Sequence, residues 1–230
     1  PNDPYYPYNS PAGYWGQWHL NNSSNVGAAN IDVRVLTPWL NNWTGSGVVV
    51  GIVDDSMQIA HPDLAPNYSA VDSWDFGQND ADPSPVHADD DHGTAVAGVA
   101  AARGGNSIGV TGAAPEATLA GLRLDFYSLT YASLTAAIEY RSSGATQTIK
   151  IKNHSYGVPD NYVSSPPEVA SHAVSAAAGT IHSVSAGNGR GDIDEDSNKK
   201  HLQSSPDVIT IAALAPRGTF SDYSNFGACV

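Results

Sequence analysis

Residues 47–53 read Gly-Val-Val-Val-Gly-Ile-Val and end on Asp54-Asp55. A continuous apolar run of this length, bounded by Gly and Asp, is the pattern of a strand buried on both faces. Such a strand belongs inside a sheet that is covered on both sides. The chain beyond it alternates. Thr94 to Ala102, rich in Ala and Val, predicts a helix that begins near His92. Thr118 to Leu124 predicts a strand, and Leu129 to Tyr140 a helix stopped at Gly144. Thr148 to Asn153 predicts another strand, and Glu168 to Ala178 a helix led by Pro166-Pro167 and closed by Gly179. Ile181 to Ser185 and Val208 to Leu214 complete the strands. The expected fold is α/β, in three layers, with a mainly parallel sheet flanked by helices and incomplete at its C-terminal end. In such sheets sites lie at the carboxyl ends of the strands.

Upstream of the alternation, residues 1–30 are rich in Pro, Tyr, Trp, Asn and Gly and read as an irregular arm, with residues 31–230 as one domain. Apolar positions Val33, Val35, Leu36, Trp39 and Leu40 predict a short amphipathic helix within 33–43. The start, Pro1-Asn2-Asp3-Pro4, lacks Met and reads as a processed or trimmed N-terminus. Asp and Glu total 23 against 10 Lys and Arg, a net charge of −13, and no basic cluster of the kind nucleic acid requires is visible. No apolar run reaches the roughly 20 residues of a membrane span. Cys229 is the one cysteine, so no disulfide can form within the chain. A secreted chain without disulfides commonly relies on bound metal, which directs attention to calcium. Asn-X-Ser/Thr triplets at Asn21, Asn22, Asn42, Asn67 and Asn153 are what chance supplies in a sequence this rich in Asn and Ser.

Three constellations stand at strand ends or helix starts. Asp54 and Asp55 close the first strand, where one can orient a histidine and either can serve as a turn or helix cap. Asp91-His92-Gly93-Thr94-Ala95-Val96-Ala97-Gly98 puts an imidazole at the N-terminus of a helix of small residues, as a general base needs. His87, Asp89, Asp90, Asp91 and His92 form a rival metal-binding pattern, but zinc rarely takes so many carboxylates. In Ser185-Ala186-Gly187-Asn188-Gly189, Asn188 can donate its amide to a developing oxyanion or be a plain turn residue. Gly187, Gly189 and Gly191 do not have dinucleotide-loop spacing, and Arg190-Gly191-Asp192 matches an adhesion tripeptide by chance.

Taken in order, GIVDDS at 51–56, HGTAVAGVAA at 92–101, SIGVTGAAPEATL at 107–119 and SAGNG at 185–189 resemble the subtilisin-like serine proteases, the subtilases, over nearly the whole chain. VDDS, SWDF at 73–76 and QWHL at 17–20 lean toward the kexin-like branch. The resemblance implies a secreted, extracellular or periplasmic endopeptidase acting on proteins or peptides. In it Asp54 orients His92, His92 is the general base and Asn188 completes the oxyanion hole. Ser155, Tyr156 and Gly157 match the segment that pairs with the substrate backbone. Asp160 and Asp192 fall near the acidic positions that select a basic residue before the cut, with Asp194, Glu195 and Asp196 close by; a solvated acidic loop is the competing reading. GGNSIGV at 104–110 resembles the family's strong Ca2+ loop, which implies ligands from Asn106, from Gly104, Ile108 and Val110, from Asp63 in HPDL, and from Asp3 in the arm. Two departures stand out. Ser56 occupies a usual glycine position, where a side chain is expected to strain the backbone. No Gly-Thr-Ser-Met-Ala type motif is present, so the nucleophilic serine is expected in a C-terminal portion beyond FSDYSNFGACV, and these residues alone are expected to be inactive. A catalytically inactive, calcium-stabilised binding module and an unrelated metal hydrolase centred on 87–92 are the competing functions.

Overall fold

Six parallel strands in the order β2-β3-β1-β4-β5-β6 form the frame in a computed structural model that describes residues 1–6, 16–22, 31–157, 161–192 and 195–230. They are β1 (Val49–Asp54), β2 (Trp74–Asp75), β3 (Thr118–Arg123), β4 (Ile149–His154), β5 (Ile181–Ser185) and β6 (Ile209–Ile211). Four helices join them: α1 (Leu36–Leu40), α2 (His92–Ala101), α3 (Tyr131–Glu139) and α4 (Pro166–Ala177). β1 lies between β3 and β4 and pairs in parallel with both. Its side chains therefore alternate between two cores. Val50 and Ile52 pack with Ala97 and Ala101 of α2, while Val53 packs with Leu134, Ala137 and Ile138 of α3. Ile52 and Val53 are fully buried, each contributing about 1.5–3 kcal/mol of apolar burial. The three-layer reading holds, and helices cover both faces.

Several bounds differ from the sequence reading for local reasons. The helix within 33–43 shrinks to the five residues of α1, none of them buried. Val35 instead anchors a small cluster with Tyr6 and Leu20. α3 starts at Tyr131 because Thr130 caps it: the Ser133 N–H donates to Thr130 Oγ1 and the Thr130 N–H to Ser133 Oγ, both at 3.1 Å. At its other end the buried Lys152 ammonium donates to the carbonyls of Ala137, Ile138 and Tyr140 at 2.8, 2.6 and 2.8 Å. Lys152 thereby satisfies acceptors that a helix terminus leaves open. β2 was not read from sequence, because two residues carry no period. Of the sequons, Asn67 is buried with its amide donated to the carbonyls of Ala101 and Pro115 at 2.9 Å each, so it is a core staple.

This topology positions the site. β1, β4 and β5 are neighbours, and the segments that leave their carboxyl ends are Asp54-Asp55, Ser155-Tyr156-Gly157 and Ala186-Gly187-Asn188. Three stretches far apart in sequence therefore emerge side by side on one edge.

Candidate active site

The two aspartates that end β1 divide the work. Asp54 is buried, and its Oδ1 lies 2.9 Å from His92 Nδ1 while accepting the Asp55 N–H at 2.8 Å. Asp55 caps α2: its Oδ2 accepts the His92 N–H at 3.1 Å and its Oδ1 the Gly93 N–H at 2.8 Å. Orienting carboxylate and helix cap, alternatives at the level of sequence, are both present on adjacent residues. Gly93 makes the approach possible, since a Cβ there would lie 2.1 Å from the Ser56 carbonyl oxygen and 2.8 Å from Asp54 Cβ. Ser56 adopts no left-handed backbone, so the strain expected from a non-glycine does not arise. Its hydroxyl donates to the Asp90 carbonyl at 2.9 Å and ties the end of β1 to the loop before His92.

That loop is held from below by a residue that sequence reading missed. Arg123, the last residue of β3, is fully buried. Its guanidinium reaches Asp75 at 3.1 Å and Asp90 at 2.9 Å. Asp90 Oδ2 also accepts the N–H groups of Val86 and His87 at 3.0 Å each. Asp90 is thus committed to Arg123 and the backbone, and the rival metal pattern at 87–92 does not converge into a ligand set among the described residues. A lone Arg ending an apolar strand was the available signal, because a buried guanidinium demands carboxylates.

Electrostatics suit the His92 ring to take a proton. Burial pulls its pKa down, but the hydrogen bond to Asp54 and the charges of Asp54, Asp55 and Asp91 outweigh this and raise it above 6.5. Burial raises the Asp54 pKa, opposed by the hydrogen bonds from His92 and Asp55. The His92 side chain is 56% exposed, so the ring is accessible to solvent and to a substrate. In an NMR titration His92 should change charge above pH 6.5. Asp54→Asn removes the two largest raising interactions and leaves Asp55 and Asp91 against desolvation, so the midpoint should fall. An unchanged midpoint would mean that Asp54 does not govern the ring.

Asn188 follows β5, where Gly187 has φ +105° and a Cβ would meet the Asn225 side chain at 2.6 Å. Asn225 in turn accepts the Gly189 N–H at 2.6 Å. Asn188 lines a cavity of about 370 Å³ together with Ser155, Tyr156, Gly157, Asp192 and Lys200. On the other side of Tyr156 and Gly157 lies a second cavity of about 310 Å³, lined by Phe126, Leu129, Leu134 and Val163 among others. The acidic wall expected from sequence is only partly assembled. Asp192 lines the first cavity and is exposed, while Asp160 and Asp194 lie outside the described residues. Glu195 accepts the Gly191 N–H at 2.8 Å and Asp196 the Asn198 N–H at 3.0 Å, so both shape the loop. Lys200, which sequence reading did not single out, lines the same cavity with opposite charge.

Of the residues named for calcium, Asp3, Asp63, Asn106, Ile108 and Val110 are linked by hydrogen bonds, with Asn106 Oδ1 accepting the Ile108 N–H at 2.9 Å. Asp3 and Asp63 are buried. Asp3 accepts the N–H groups of Gly105 and Asn106 at 2.9 and 3.1 Å. Asp63 accepts the Asn106 side-chain amide at 2.8 Å and the Val110 N–H at 2.9 Å. Neither forms an ion pair with a Lys, Arg or His among the described residues. Two buried carboxylates, Asp3 from the arm and Asp63 from HPDL, meet on the 104–110 loop without a cationic side chain, and such oxygen donors fit a hard divalent cation.

A parallel α/β sheet with a buried Asp bonded to a helix-start His at its carboxyl edge is the architecture of a subtilisin-like peptidase domain. The subtilase family model, Peptidase_S8, matches residues 45–230, and the chain belongs to this family. Its relatives lie in the kexin-like branch. The chain is 33% identical to Kexin of Saccharomyces cerevisiae over 217 residues, covering 90% of this chain and 26% of that protein. It is 40% identical over 148 residues to the dibasic-processing endoprotease of Schizosaccharomyces pombe, covering 64% of this chain and 20% of that protein. It is 39% identical over 150 residues to human Neuroendocrine convertase 2, covering 63% of this chain and 23% of that protein. The chain thus spans about a quarter or less of these relatives' lengths. Among solved structures, a serine protease of Aeromonas sobria in complex with its chaperone matches with a TM-score of 0.78 at 30% identity, over 93% of this chain and 41% of that one.

Proposed function

We propose that the protein is a serine endopeptidase that forms and hydrolyses an acyl-enzyme on protein or peptide substrates. The observation that carries this reading is the 2.9 Å contact of buried Asp54 with His92 Nδ1, with the ring itself open to solvent at the carboxyl edge of the sheet. Asp54 holds the ring with its Nδ1 proton directed inward, which leaves Nε2 free to take the proton of an attacking serine and return it to the leaving amine. The Asn188 amide donates to the oxyanion that develops on the scissile carbonyl. Ser155 to Gly157 pair with the substrate backbone, and the two cavities flanking Tyr156 receive its side chains. The nucleophile is proposed to come from a C-terminal portion that follows these residues. A basic residue before the cut is the preference that the kexin-like relatives suggest, with Asp160 and Asp192 as its recognition groups. Asp3, Asp63, Asn106 and the carbonyls of Gly104, Ile108 and Val110 would hold Ca2+, which would neutralise the two carboxylates and pin the N-terminal arm to the loop. Use of calcium suits the extracellular or secretory-pathway setting that the kexin-like resemblance implies. No helix among the described residues is long and apolar enough to cross a membrane.

Fluorophosphonate labelling with intact-mass analysis tests the reading. Uptake of one label on a species that contains this chain or is derived with it supports the peptidase. No labelled species favours a catalytically inactive, calcium-stabilised binding module. In the active, unlabelled enzyme, Asn188→Ala should lower kcat by about 10²–10³-fold with little change in KM, because its bond forms only in the transition state. A change confined to KM would remove Asn188 from the oxyanion hole.

A further inference from the structure

Beneath the Tyr156 segment, on the face of the sheet covered by α3 and α4, three histidines meet. His154 ends β4, His182 lies on β5, and His172 lies on α4, and all three are fully buried. One ring nitrogen from each falls within 4.8 Å of the others. The remaining nitrogen of each ring has an oxygen partner. His154 Nδ1 lies 2.8 Å from the Tyr156 hydroxyl, His182 Nε2 lies 2.8 Å from Ser175 Oγ, and His172 Nδ1 lies 2.9 Å from the Glu168 carbonyl. A carbonyl only accepts, so His172 carries its proton on Nδ1 and its Nε2 presents a bare lone pair. That Nε2 is buried with no hydrogen-bond partner. His154 Nε2 and His182 Nδ1 face each other at 2.9 Å.

We propose that His154 Nε2, His172 Nε2 and His182 Nδ1 form a binding site for a divalent transition metal of the zinc class, separate from both the peptidase cleft and the calcium loop. Three imidazoles are a donor set suited to zinc, cobalt, nickel or copper and not to calcium. Ligating histidines characteristically have an oxygen partner for their other ring nitrogen, and all three have one here. Zinc–nitrogen distances of about 2.0–2.1 Å put ligand nitrogens roughly 3.4 Å apart. The facing pair at 2.9 Å must open slightly and the widest spacing must close, both within reach of ring torsions. The rings need not shed net charge to bind. Burial lowers the pKa of His172 to about 4 and of His182 to about 3. A metal draws the shared proton away from between His154 and His182 by a change of tautomer, and His154 then donates to Tyr156 and His182 to Ser175. The nearby cation, Lys152, is committed to three carbonyls of α3, and burial lowers its pKa well below the ordinary value. Three ligands leave a fourth position for water. The ion would clamp β4, β5 and α4 together directly under the substrate-pairing segment.

The test uses the purified protein, kept in calcium and stripped with 1,10-phenanthroline, which removes zinc-class metals and leaves calcium. One equivalent of Co2+ is then added. Retention of one cobalt per chain after desalting, with the intense visible absorption of a tetrahedral site, supports the proposal. His172→Gln should abolish retention, and Ser175→Ala, which keeps all three ligands, should weaken binding by about 10–100-fold. His87→Gln, at the surface, should bind as the unsubstituted protein does. Failure of the unsubstituted protein to retain cobalt, or only weak octahedral absorption, overturns the proposal whether or not any variant folds. So does full retention by a folded His172→Gln protein. Because labelling by a fluorophosphonate does not depend on this metal, the peptidase reading stands or falls separately.

Discussion

His92→Ala is expected to lower peptide turnover by on the order of 10⁶-fold, and Asp54→Asn by about 10⁴-fold, in the enzyme carrying its nucleophile. The two effects differ because the residues act at different removes. His92 moves the proton, so its loss leaves a serine at its ordinary, weakly nucleophilic pKa. Asp54 fixes the tautomer and stabilises the imidazolium through the bond at 2.9 Å. An amide in its place can present its NH2 to Nδ1 and so favour the tautomer with the proton on Nε2, where it is of no use to the serine. The double variant should be no slower than His92→Ala alone, since the residues act as one unit. Initial rates with a fluorogenic peptide, normalised to active sites, measure all three. A His92→Ala enzyme within tenfold of the parent would rule out the triad reading, as would additive losses in the double variant.

Removal of calcium is expected to cost about 4 kcal/mol in a protein that had been held at a thousand times its Kd. For a domain of this size that is a fall in Tm on the order of 10 °C. The reason lies in Asp3 and Asp63. Both are buried, they share Asn106 as a hydrogen-bonding neighbour, and no basic side chain among the described residues pairs with them. Without a cation their charges repel and are desolvated. Calorimetry with and without chelator measures the shift, and Mg2+ should not restore it, since it accepts such a cage poorly. Asp63→Asn should melt at one temperature whether or not calcium is present. Equal melting of the unsubstituted protein with and without chelator would remove calcium from this loop. Arm and loop are already joined there by the Asn2 side chain, which donates to Ser107 Oγ at 2.8 Å, and by the Tyr5 N–H, which donates to the Gly109 carbonyl at 3.2 Å.

Legibility in the sequence followed the range of the forces involved. β1 and α2 were readable because a doubly buried strand and a helix of small residues leave dense local patterns. Asp54, His92 and Asn188 were readable because each ends or starts such an element and the family resemblance orders them. β2 was unreadable at two residues, and α1 shrank because Val35 is drawn to Tyr6 and Leu20 and away from a helical stripe. The Arg123 network joins side chains on Asp75, Asp90 and Arg123 whose meeting depends on the sheet order. The histidine cluster is of the same kind. His154 shares a strand face with Lys152, and Lys152 is in register with His182, a proximity that exists only once β4 and β5 are paired. The strain expected at Ser56 failed for the opposite reason: it was borrowed from a position in relatives and not from the backbone this chain adopts.

The central place of β1 also governs how the molecule must assemble. Val49 pairs with Thr118 on one side and with Ile149 on the other. The strand that bears Asp54 is made before both of its neighbours, so its two edges wait for partners that follow roughly 60 and 95 residues later in the chain. Closing such long loops precedes any reward from pairing, which places this topology among slow folders. Until β4 arrives, a flat apolar edge stands open to other chains, the circumstance in which nascent sheets aggregate. Expression in pieces divided between Arg123 and Ile149 should therefore be the least productive way to make this domain.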